Sequence, residues 1–142
     1  MIHIGTDHAG FELKKSILDL LINEKIEFKD HGTYSTERVD YPDYAHSVAI
    51  SVEGDKESMG ILICGSANGV CITANKHQGI RAALCWNEEV AKLAKQHNNA
   101  NIIGIPARFI DTELAKKMVL LFLNTPFEGG RHLTRVNKIS CN

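Results

Sequence analysis

Short apolar runs alternate with amphipathic helical patterns along the whole chain, the signature of βα repetition around a mostly parallel sheet. Strands are expected at residues 2–6, 26–30, 59–64, 80–85 and 102–105. Between the first two, Leu13, Ile17, Leu20, Leu21 and Asn23 follow helical spacing with Glu12, Lys14, Lys15 and Asp19 on the other face, which predicts a surface helix packed on the sheet. Further helices are expected through Tyr44, Ala45, Val48, Ala49 and Val52, through Val90, Leu93 and Ala94 after a cap at Asn87, and through Leu114, Ala115, Met118, Val119 and Phe122. Asn68 or Gly69 opens another, running through Ile72 to about Asn75. Residues 126–142 read as a polar loop leading into a short terminal helix or tail.

Composition removes several function classes. A chain of 142 residues that is 44% apolar is sized for one domain, residues 1–142, with a single core. Its 16 Lys and Arg nearly cancel 17 Asp and Glu, so no broad field of one sign exists to hold nucleic acid or an acidic membrane, and a small ligand is the expected partner. The start, Met1-Ile2-His3-Ile4-Gly5-Thr6-Asp7, has neither the basic region nor the apolar stretch of a signal peptide, and no later run reaches bilayer length, so a cytoplasmic protein is expected. Cys64, Cys71, Cys85 and Cys141 sit in apolar strand or helix patterns without CxxC spacing and are expected to be reduced thiols.

In a doubly wound sheet, ligands bind outside the carboxyl ends of the strands. The first loop at such an end, Thr6-Asp7-His8-Ala9-Gly10, gathers a carboxylate and an imidazole, either an acid/base pair or a helix cap beside a solvated histidine. The third strand ends in Cys64 and runs into Gly65-Ser66-Ala67-Asn68-Gly69 before a helix. Small residues let backbone N–H groups converge on an anion, and a thiol there suits a base or nucleophile, or else a buried strand end with a glycine turn. The loop lacks Gly-Lys-Ser/Thr, does not fit GxGxxG, and has Val70 where a Cys-x5-Arg phosphatase needs Arg. Gln96-His97-Asn98-Asn99 offers either ligands for a polyhydroxyl compound or a helix end with Asn in the left-handed conformation. Arg108, Arg131 and Arg135 are candidate phosphate ligands or solvated surface charges. Asp7, His8 and His97 are the conceivable metal ligands, but no two histidines are spaced i, i+4 and no Cys/His cluster appears, so no metal is expected.

Taken together, these residues resemble the ribose-5-phosphate isomerase B family, which also includes the galactose-6-phosphate isomerase subunits. The resemblance runs in order through Thr6-Asp7-His8-Ala9-Gly10-Phe11, Asp30-His31-Gly32-Thr33, Asp40-Tyr41-Pro42, Gly60-Ile61-Leu62-Ile63-Cys64-Gly65, Ala74-Asn75-Lys76, Gln96-His97-Asn98 and Glu128-Gly129-Gly130-Arg131-His132. It implies a three-layer α/β/α Rossmann-like fold with a five-stranded parallel sheet, and a homodimer or homotetramer with active sites at the subunit interface. It implies an aldose-ketose isomerase of the pentose phosphate pathway, interconverting D-ribose 5-phosphate and D-ribulose 5-phosphate through an enediolate without a cofactor. Allose or galactose 6-phosphate isomerase, or a non-catalytic phosphosugar-binding regulator, are the alternatives.

By the same resemblance Cys64 is the base, Asp7 and His97 open the furanose ring, and Ser66 belongs to the catalytic set. Gly65, Ala67, Asn68 and Gly69 complete the enediolate cradle, Tyr41 and Asn98 line the sugar site, and His8, Arg108, Arg131 and Arg135 hold the phosphate, some from the partner subunit. Family loops commonly have Gly where Ala67 stands, so a left-handed backbone there is expected to be strained. Another branch has Gly for this cysteine and a Glu further along the loop, where Val70 stands here, leaving Cys64 as the base candidate.

Overall fold

The computed structural model describes residues 1–141; Asn142, the end of the expected tail, lies outside the described residues. Five strands, β1 (Ile2–Thr6), β2 (Phe28–Asp30), β3 (Met59–Cys64), β4 (Ala82–Leu84) and β5 (Ile102–Pro106), form one sheet in the order β2-β1-β3-β5-β4. Every pairing is parallel. The helices are α1 (Phe11–Asn23), α2 (Tyr41–Gly54), α3 (Asn68–Ala74), α4 (Glu88–Gln96), α5 (Thr112–Asn124) and α6 (Arg131–Val136), with a 3-10 turn at His8–Gly10.

Strand alternation sorts the side chains into two layers. Ile4, Ile61, Ile63, Ile103 and Ile105 pack with Ile17 and Leu21 of α1, Ala91 and Ala94 of α4, and Met118, Val119 and Phe122 of α5. Leu62, Cys64 and Ile102 point the other way, onto Ala45, Val48 and Val52 of α2 and Val70 and Ala74 of α3. The result is the expected three-layer α/β/α, Rossmann-like arrangement. Close approach of α2 depends on Gly60, where a Cβ would come within 2.9 Å of both a Val48 methyl and an Ile102 side-chain carbon.

Two strands begin later than expected, for local reasons. The Ile26 N–H closes α1 by donating to the Leu21 carbonyl at 2.9 Å, and Lys25 donates to Ile22 at 3.0 Å with φ 57. These are the two bonds of a Schellman cap, so β2 starts only at Phe28. Ile80 is held in a turn by the His77 carbonyl, and the Arg81 N–H donates to the Asn101 side chain at 2.8 Å, which shortens β4.

The expected polar face of α1 also needs correction. Lys14 is only 1% exposed, its ammonium donating to both Asp30 oxygens at 2.7 and 3.0 Å and to the Thr33 carbonyl, beneath the rings of Phe11 and Tyr34. Helical periodicity places it with Ile17 and Leu21 on the inward side, whereas Asn23, counted with the apolar set, is exposed. Asn87 caps α4 as expected, accepting from the Val90 N–H at 2.8 Å. The tail after Gly129 and Gly130, both with positive φ, forms α6 and then ties back to Gln78 through Ser140 and Cys141.

Candidate active site

Sheet register converts three separate stretches of sequence into one site. Thr6 pairs with Ile63, so Asp7 follows β1 at the level of Cys64, and Cys64 pairs with Pro106, so Arg108 follows β5 beside Gly65. β1 and β3 are also the neighbouring strands from which the chain winds outward in opposite directions, the switch point where open α/β sheets bind ligands. There Asp7, His8, Ala9, Tyr41, Cys64, Gly65, Ser66, Gly69, Arg108 and Phe109 line a cavity of about 470 Å³.

Asp7 is buried and takes the capping role of its two expected readings. Its Oδ1 accepts from the Ala9 N–H at 3.0 Å, capping the 3-10 turn, while the residue still borders the cavity. His8 accepts from the Val39 N–H through Nδ1 at 3.3 Å and shares a second cavity, of about 480 Å³, with Arg38, Val39, Asp40 and Arg108. The neighbouring cavities therefore form a polar trough with cationic groups at one end.

Cys64 is 6% exposed at the end of β3, and its carbonyl accepts from the Ala107 N–H at 2.9 Å. Burial pushes the Cys71 and Cys85 thiols up to about 12, with Cys64 and Cys85 adding to the effect at Cys71, so neither suits a base. All four cysteines are free.

The loop beyond Cys64 is built for close approach. A Cβ on Gly69 would collide with the Tyr41 ring, and one on Gly65 would press the Arg108 guanidinium at 3.1 Å. The Asn68 N–H donates to Ser66 Oγ at 3.3 Å. Ala67 has φ 63 and ψ 0, the left-handed conformation that the family resemblance raised for this position, and its methyl is fully buried.

His97, Asn98, Arg131 and Arg135 lie elsewhere in the protomer. His97 caps the end of α4, at the sheet edge where β5 begins, whereas Cys64 stands where β3 ends. From Ile102 to Pro106 is four residues, roughly 13 Å along the strands at about 3.3 Å per residue. Asn98 borders a cavity of about 330 Å³ with Asn75, Ile80, Arg81, Ala100 and Ile139. The His97 and His132 rings stack at 4.2 Å, and His132 is held below its ordinary range first by desolvation and then by His97 and Arg131, with Glu128 opposing. Within one protomer Asp7 and His8 are thus separated from His97.

Arg38, Ala9 and Phe109 are cavity residues that sequence reasoning missed. Phe109, 75% exposed at the rim, was legible as the neighbour of Arg108 in a strand-end loop. Arg38 carries no comparable signal, since the loop holding it is ordered by tertiary contacts such as the His8 bond to Val39. No helix among the described residues is long and apolar enough to cross a membrane.

Comparison with known proteins agrees with the fold. The model of the Ribose/Galactose Isomerase family matches residues 2–139. Ribose-5-phosphate isomerase B of Escherichia coli is 45% identical over 139 residues, covering 98% of this chain and 93% of that protein. The crystal structure of a ribose 5-phosphate isomerase from Thermotoga maritima superposes with a TM-score of 0.95 at 52% identity, covering 98% and 96% of the two chains. That of ribose-5-phosphate isomerase B from Mycoplasma genitalium, which holds bound ribulose-5-phosphate, gives 0.94 at 44% identity over 97% and 92%. The chain belongs to the ribose/galactose isomerase family.

Proposed function

We propose that this protein is an aldose-ketose isomerase that interconverts D-ribose 5-phosphate and D-ribulose 5-phosphate, working as one domain and without a cofactor. The observation that carries the reading is the convergence of Asp7, Cys64, Ser66 and Arg108 on one cavity at the switch point. In the open-chain aldose, the Cys64 thiolate removes the C2 proton, the carbonyl oxygen O1 takes up negative charge, and an enediolate forms. Return of that proton to C1, with passage of the O2 hydroxyl proton to O1, gives the ketose. Backbone N–H groups of residues 65–69, together with Ser66, meet the developing charge, a contribution of about 3 kcal/mol for each well-aimed donor.

Ring opening needs a second acid/base, and Asp7 begins that set. His97, a strand length away, reaches the Cys64 cavity only from another copy of the chain. We therefore assign a homodimer, or a tetramer built from it, in which His97 and Asn98 of one copy complete the sugar site of the other. Arg131 and Arg135, one helical turn apart on α6, then join His8 and Arg108 around the phosphate. The exposed Ile72 of α3 and Leu133 of α6 suit such an interface. Four free thiols suit a reducing cytoplasm.

Proton NMR of the protein with ribose 5-phosphate in deuterated water tests the reading. Ribulose 5-phosphate should appear with deuterium at C1, and unreacted ribose 5-phosphate should exchange at C2. Turnover of allose 6-phosphate but not of ribose 5-phosphate would replace the substrate, and neither product nor exchange despite binding would overturn the enzyme.

A further inference from the structure

At the sheet edge opposite the Cys64 cavity, three donor side chains converge from three different segments. His97 ends α4, His132 is the second residue of α6, and Glu128 stands in the connection between α5 and α6. Both Nε2 atoms lie near the same carboxylate oxygen, His132 at 3.5 Å and His97 at 3.8 Å from Glu128 Oε1. One ligand atom of each residue lies within 4.8 Å of the other two. Bonds of about 2.1 Å in a tetrahedron set ligand atoms roughly 3.4 Å apart, so two of the separations need to close by only a few tenths of an ångström.

The main chain holds these residues together independently of the side chains. The Glu128 N–H donates to the Gln96 carbonyl at 3.1 Å, and the His132 N–H donates to the Gly129 carbonyl at 3.1 Å. Two imidazoles and one carboxylate, with water as the fourth ligand, match borderline ions such as Zn²⁺ or Co²⁺ and not Mg²⁺, which prefers an all-oxygen shell. The nearby Arg131 and Arg135 oppose a cation, so Glu128 supplies the negative charge that offsets them, and moderate affinity is expected.

We propose that His97, Glu128 and His132 bind a divalent transition ion of the zinc class, and that its binding inhibits the isomerase by withdrawing the His97 imidazole from ring opening. The inhibitory half rests on the role given to His97 above. Calorimetric titration of the whole protein with zinc chloride, and separately with magnesium chloride, tests the site. One zinc per chain should bind, magnesium should not, and Glu128→Gln should weaken zinc at least tenfold. His46→Gln, which removes the close His46–His77 pair, should leave the binding unchanged.

Zinc should also inhibit wild-type turnover with the midpoint seen by calorimetry, and Glu128→Gln should shift inhibition and binding by the same factor. Equal zinc binding by wild type and Glu128→Gln, or its loss in His46→Gln, would overturn the site. Inhibition that Glu128→Gln does not shift would place the ion on another group, and would overturn the inhibitory half. If Glu128→Gln does not fold, His132→Asn takes its place in the same comparison. A wild-type protein without metal-free turnover would sink the isomerase reading, while the calorimetry still decides the ion site.

Discussion

The two edges of the sheet position their candidate residues in different ways. At the carboxyl edge, Asp7, Cys64 and Arg108 are positioned by consecutive registers of β1, β3 and β5, so their spacing is set by backbone hydrogen bonds within one protomer. At the amino edge, His97, Glu128, His132 and Arg131 sit at helix ends and on a loop, placed by caps and turns. A parallel sheet with short connections sends every helix end back to the edge opposite the strand ends. One protomer therefore separates the two sets, and their cooperation requires a second copy.

The largest expected effect tests that division. Cys64→Ala should lower turnover about 10²- to 10⁴-fold, the scale of a lost proton-transfer group, with ribulose 5-phosphate binding retained by calorimetry. Loss of less than tenfold would remove the thiol as base. Unfolding Cys64→Ala and His97→Ala chains together and refolding them as a mixture should then recover about a quarter of wild-type activity. Half of the dimers are mixed, and each has one site with both groups intact. If the mixture is no more active than either variant, the split site is wrong.

Lys14→Ala probes what supports the carboxyl edge. It should cost about 3 kcal/mol in urea unfolding, because it leaves the half-buried Asp30 carboxylate without its partner and frees the Thr33 carbonyl. A loss under about 1 kcal/mol would mean that the pair is solvated like a surface ion pair.

A pH effect should follow from the amino half of β1. His3 Nδ1 lies 2.9 Å from His31 Nε2, and burial holds both rings below the ordinary histidine value, with nearby positive charges adding to the shift. The unfolded chain therefore binds more protons than the folded one once the pH drops below about 6.5. Stability should be full above that pH and should decline below it, and His31→Gln should flatten the decline in urea titrations between pH 7.5 and 5. An unchanged slope would assign the acid sensitivity elsewhere.

The smallest effect is expected at Ala67. Glycine there relieves about 1–2 kcal/mol of left-handed strain. It also loses a buried methyl, about 0.8 kcal/mol, and adds about 0.4–1 kcal/mol of unfolded-chain entropy. These nearly cancel, so Ala67→Gly should change stability by less than about 1 kcal/mol in the same unfolding assay. A loss above about 2 kcal/mol would show that the methyl packs more tightly than its area implies.

The carboxyl-edge site was legible in the chain because its residues sit where apolar strand runs stop, and those stops are marked by glycine and small residues such as the ones after Cys64. Arg38 was not legible, since nothing local distinguishes it from a solvated charge, nor was the buried ion pair of Lys14, whose partner lies sixteen residues away across two elements. The left-handed backbone at Ala67 was legible only through the family resemblance, because alanine itself gives no sign of positive φ.

By itself the sequence determined the βα alternation, the strands at 2–6 and 59–64, the Asn87 cap of α4 and the candidate residues gathered after β1 and β3, all of which depend on residues near one another in the chain. Tertiary structure alone decided the strand order, and with it which loops share a cavity and that His97 faces away from Cys64. Hydrogen-bond register between distant strands carries that information, and local propensity does not encode it.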